Sequence, residues 1–182
     1  MQGKNIGVSA LRPEIFKRIA IYGVLTLLLG SAQCSFFPLL KICPSTPDLI
    51  MGMLLAITLI DSEKSAAVVA ICAGFFIDAI GGGAIAFSPT VYLLFVLLIS
   101  FFSQKMLPRF ASFVILMVPT AIYRAIATVI CAAITYGAFW PMSLMIPKLL
   151  AEAVCTVLLC LPLYPVIKLA AAPLETHGKF SF

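Results

Sequence analysis

Long apolar runs alternate with short basic clusters along this chain, and that alternation constrains its fold more than any motif. The first run, Ile19 to Leu40, follows Lys4, Arg12, Lys17 and Arg18 and carries no charge. About 20 apolar residues suffice to cross a hydrocarbon core ~30 Å thick, so this run is long enough to span a bilayer as a helix. Of the 182 residues, 63% are hydrophobic and only 10% are charged, with mean hydropathy +1.16. An average soluble domain has about 25% charged residues, and a water-facing shell cannot be built from so few. The excess apolar surface must face lipid.

The basic start followed by an apolar run mimics a signal peptide. Gln33, in Ser31-Ala32-Gln33-Cys34, does not suit a small-residue cleavage site, and the run continues through Phe36, Phe37 and Leu40. It is therefore expected to stay as the first helix. The net charge of +5 does not point to nucleic acid, because the basic residues sit between membrane runs and no run gathers five like charges. The six cysteines (34, 43, 72, 131, 155 and 160) show no metal-ligand spacing. The spacing allows a Cys34–Cys43 bridge near the outer face.

Pro44 and Pro47 break the chain before a second run from Asp48 to Ile60. A polar turn, Asp61-Ser62-Glu63-Lys64, leads to a third helix over Ser65–Ile80. Both segments are shorter than a usual span, which implies local thinning of the bilayer or support from neighbours. Gly81-Gly82-Gly83 makes a tight turn. A fourth helix is expected over Ala84–Phe102, followed by a polar turn at Ser103–Arg109. The fifth runs over Phe110–Tyr136, with a kink at Pro119. The link Gly137–Ser143 carries Trp140, which suits an interfacial anchor. The sixth helix covers Leu144–Leu169.

These elements predict an all-α integral membrane protein, a single transmembrane domain of about six helices. Residues 1–18 form a cytoplasmic N-terminal segment, 19–169 the helical bundle and 170–182 a cytoplasmic tail. With both termini inside, nine of the 12 Lys and Arg residues are cytoplasmic. Lys41 alone falls outside, and Arg124 and Lys148 lie within helices. Cytoplasmic excess of Lys and Arg is the usual bias.

Ionisable groups inside a membrane are costly, and each is a functional candidate. Asp78, Arg124, Lys148 and Glu152 qualify. Lys148 and Glu152, four apart, share a face of the sixth helix. Helical rise places the residues at depths that permit an Arg124–Glu152 pair and an Asp78–Lys148 contact. Such a set either lines a proton or solute path or fixes helix packing, and the second reading is preferred. In the third helix Ala66, Ala70, Gly74 and Asp78 recur every four residues and end at Gly81. A small-residue stripe lets backbones approach closely, within the bundle or against a partner helix. No G-x-S-x-G, H-E-x-x-H or phosphate-binding glycine loop is present. The one histidine, His177, reads as a solvated tail residue. An enzyme is not expected, and no cofactor is implied.

Pro47-Asp48-Leu49-Ile50 resembles the start of a block found in MreD, the bacterial rod shape-determining membrane protein family. Ala73-Gly74-Phe75-Phe76-Ile77-Asp78-Ala79-Ile80-Gly81-Gly82-Gly83 is similar to that family's hallmark, with Gly74, Asp78 and Gly81 matching in place. The family's further glycine is not matched, since the chain there reads Ala84-Ile85-Ala86-Phe87. Leu161-Pro162-Leu163-Tyr164-Pro165, leading to Lys168, is similar to the family's closing segment. The resemblance implies a non-enzymatic scaffold of the cell-elongation complex in the bacterial cytoplasmic membrane. Its expected partners are membrane lipid, MreC, MreB, RodA and a penicillin-binding transpeptidase, and its role is to help organise lateral peptidoglycan synthesis. The rival reading is a vitamin-binding membrane subunit of an energy-coupling-factor-type transporter. Those subunits resemble one another in an Ala-x-x-x-Ala dock on the first helix, which this chain lacks. They also need an outer cavity with polar and aromatic groups.

Overall fold

The computed structural model of the chain describes residues 11–36, 47–61, 63–81, 87–103, 110–136 and 142–171. The expected glycine turn beyond Gly81, the turn after Ser103, the Trp140 link and the His177 tail lie outside those residues. Helix α1 (Leu11–Ser31) continues as a π turn over Ala32–Phe36, and α2 (Leu49–Ile60) and α3 (Glu63–Gly81) follow. Then come α4 (Phe87–Ser103), α5 (Phe110–Tyr136), α6 (Met142–Cys160) and α7 (Leu163–Ala171). Among the described residues no strand occurs. Helices α6 and α7 divide the expected sixth helix at Leu161-Pro162, where proline lacks the N–H that would continue the ladder. Counted as one broken rod, they make six.

Among the described residues, three stretches are long and apolar enough to cross a membrane: Arg18–Phe36, Phe110–Ile134 and Ile146–Leu169. Their outer faces carry large apolar side chains with no protein cover. Leu169 is 76%, Ile134 69% and Leu158 62% exposed. In water such a surface would drive association, whereas in lipid it is an ordinary exterior.

Helix α2 inverts this pattern. Ile50, Met51, Met53, Leu54, Leu55, Ala56 and Ile57 have no exposed surface, and α2 touches each of the other helices. A helix apolar on all sides belongs in an interior. Its 12 residues rise only about 18 Å, less than the ~30 Å core. Neighbours therefore surround α2, and its Asp48 end is buried within the bundle. Gly52 permits the close fit. A Cβ there would lie 2.2 Å from the Cys160 sulfur. Phe113 and Met117 of α5 and Tyr164 and Ile167 of α7 complete the core, with the Phe113 and Tyr164 rings 5.1 Å apart.

The polar turn expected at Asp61–Lys64 is shorter than its sequence suggests, because Glu63 and Lys64 already belong to α3. An acidic residue in a first turn is favoured by the helix dipole, and the Glu63 carboxylate also accepts a hydrogen bond from Ser100 of α4. Cys34 is a free thiol, and Cys43, its expected partner in a bridge, lies outside the described residues.

Candidate functional site

The buried end of α2 poses a local problem that the sequence solves with side chains. The first N–H groups of a helix have no intrahelical acceptor, and here no bulk water can supply one. Asp48 is the N-cap, and its Oδ1 accepts from the Met51 N–H at 3.1 Å. The Leu49 N–H donates to Gln33 Oε1 at 3.1 Å, and the Ile50 N–H reaches the same oxygen at 3.5 Å. The Asp48 N–H donates to Thr156 Oγ1 at 3.2 Å. Gln33 comes from the π turn of α1, where the wider winding re-aims a side chain. Thr156 comes from α6. Two other helices therefore cap α2.

The same carboxylate anchors the charges. Arg124 of α5 places Nη1 3.1 Å from Asp48 Oδ2 and donates from Nε to Glu152 Oε1 at 3.2 Å. The Tyr92 hydroxyl of α4 lies 3.4 Å from both Asp48 oxygens. Asp48 is fully buried, and Tyr92, Glu152 and Thr156 are buried beside it. One guanidinium thus joins two carboxylates, and the positive end of the α2 dipole faces the nearer one. In so poorly solvated a place the pairs are mutually dependent, because removing one member strands the others.

The structure places the residues singled out from sequence as follows. Arg124 and Glu152 are in contact, and Arg124 also reaches Asp48. Lys148, one turn from Glu152 on α6, is exposed, and a long lysine stem lets its ammonium seek water. Asp78 accepts from the Ser88 N–H at 3.3 Å. Among the described residues no ion pair joins Asp78 to Lys148. Ala70 is fully buried, and a Cβ on Gly74 would lie 2.3 Å from the Pro89 backbone. The stripe therefore faces α4, and Gly81 ends the helix beyond it.

Asp48 as an ionic partner, and Gln33, Tyr92 and Thr156 as its hydrogen-bonding neighbours, were not anticipated. One signal was present. A run of only Asp48–Ile60 is short for a membrane crossing, which marks one of its flanking carboxylates, Asp48 or Asp61, for burial without saying which. Sequence gives no comparable sign for Gln33, which needs the π turn to face inward.

No family model, curated protein or solved structure matches the chain. The cluster must be judged on its own chemistry. Among the described residues no three His, Cys, Asp or Glu side chains could hold a metal. The void beside Asp48, Arg124 and Glu152 measures about 10 Å³, room for about one water molecule. What this arrangement does well is hold five helices together at one point: α1, α2, α4, α5 and α6.

Proposed function

We propose that the chain is a non-enzymatic scaffold of a bacterial cell-elongation complex. It would cross the cytoplasmic membrane six times with both termini inside, and bind MreC-like partners through helix–helix contact in the bilayer. The observation that carries this reading is the charge cluster, whose members satisfy one another. A solute carrier or vitamin binder needs polar groups free to hold its ligand, whereas here Asp48, Arg124 and Glu152 are paired with one another and the adjoining α5–α6 crevice of about 540 Å³ has apolar walls. The residues that carry the MreD resemblance fit the same account. Asp48 caps and anchors α2, Gly74 admits the α4 backbone, and Asp78 receives the Ser88 N–H. All three are engaged in closing the bundle, which leaves its apolar exterior as the surface available to other membrane proteins.

The test is a pull-down of the tagged full chain from mild detergent, followed by mass spectrometry of protein and small molecules. Enrichment of an MreC-like protein with other wall-elongation proteins is expected. A stoichiometric vitamin-sized ligand, with no such proteins, would overturn the scaffold reading in favour of the transporter subunit.

A further inference from the structure

Helices α1 and α3 touch at one end and part toward the other. Where they touch, a Cβ on Gly30 would come within 2.8 Å of the Phe76 ring. Toward Arg18 and Lys64 they enclose a crevice of about 740 Å³, within the range of about 300–1,000 Å³ typical of ligand sites. Its walls are apolar, formed by Ile19, Gly23 and Leu27 on one side and Val68 and Phe76 on the other. Thr26 adds no free polar group, since its hydroxyl bonds the Tyr22 carbonyl at 2.8 Å. From Leu27 to Arg18 the crevice is about 14 Å long, close to the ~15 Å depth of one leaflet's hydrocarbon.

Its wide end is charged. Arg18 pairs with Asp61, which also accepts from the Tyr22 hydroxyl at 3.3 Å. Lys64 is exposed and has no ion pair among the described residues. Glu63 bonds Ser100 of α4 instead. The mouth therefore carries two cations and one carboxylate, a surplus of one positive charge at the level of the headgroups. Gly23 faces this open space, since a Cβ there would meet nothing within 4 Å.

We propose that this crevice binds an anionic phospholipid, with one acyl chain between α1 and α3 and the phosphate on Lys64 and Arg18. A free phosphate would leave the apolar walls unfilled, and a partner helix would have no use for the surplus charge. The test is native mass spectrometry of the full chain in detergent with added phosphatidylglycerol or phosphatidylcholine. One phosphatidylglycerol should be retained at five-fold or more lower concentration than phosphatidylcholine. Gly23→Trp should abolish retention of both, and Lys64→Gln should remove the preference while leaving chain binding. Equal retention of the two lipids by the unaltered protein, or unchanged retention by Gly23→Trp, would overturn the proposal. A second readout uses the unaltered protein and so does not depend on the variants folding. Cys72 is a free, exposed thiol on the crevice wall. Its alkylation, followed by peptide mass spectrometry, should slow several-fold with phosphatidylglycerol and hardly change with inorganic phosphate. Equal rates in all three conditions would also overturn it.

Discussion

At the scale of single residues, two positions concentrate the stability of the bundle. Gly74 lies against the Pro89 backbone, and a backbone atom cannot swing aside as a side chain can. Overpacking of this kind typically costs 1–3 kcal/mol, occasionally more. Gly74→Ala should therefore lower the thermal midpoint of the detergent-solubilised protein, and Gly74→Leu should lower its level in the membrane. Normal levels of the leucine variant would mean that α3 and α4 do not meet there. At the charge cluster, Arg124 serves two carboxylates, so the pairwise expectation from sequence is replaced by a three-body one. Arg124→Leu should be the most damaging single change, on the order of 3–5 kcal/mol. Adding Glu152→Leu should not rescue it, because Asp48 stays stranded. Adding Asp48→Asn as well should recover folded yield in part, since asparagine still caps a helix. Full recovery in the Arg124→Leu/Glu152→Leu double would sink this arrangement. The Arg124–Glu152 approach was legible from helical rise alone. The Asp48 link was not, because a carboxylate at the edge of an apolar run looks like a residue of the interface.

Among the elements, α5 was the most readable, its bounds Phe110 and Tyr136 agreeing with the sequence expectation. A long apolar run with clear breaks on both sides leaves little freedom. Helices α2 and α3 were shifted at their ends, because local composition does not reveal that Glu63 can bond Ser100 or that Asp48 turns back on Met51. The π turn of α1 was invisible, since its only consequence is to rotate Gln33 toward a helix that begins 16 positions on. That contact gives an element-scale prediction. Gln33→Met keeps the volume and removes the acceptor, leaving the Leu49 and Ile50 N–H groups unsatisfied. The cost should be about 1–3 kcal/mol, read as a lower thermal midpoint with the same gel-filtration profile. An unchanged midpoint would show that another acceptor serves the head of α2.

For the whole molecule, composition pointed to the helical body with apolar, membrane-length stretches that the structure shows among the described residues, while the proposed orientation rests on the distribution of Lys and Arg. Single cysteines at Ser62 and Gln104, in a cysteine-free background, should react with a membrane-impermeant maleimide only after the cells are opened. Labelling of either from outside would overturn the proposed topology. The position of α2 bears on something that no static contact describes, namely the order in which the protein can be made. This helix emerges from the ribosome well before α6, and its Asp48 N–H waits for Thr156, 108 residues later. At 5–20 residues per second that delay is about 5–20 s. During the interval a carboxylate and a fully apolar rod have no final place in the bilayer. Either the insertion machinery or the aqueous side of the membrane must hold them until the last helices arrive.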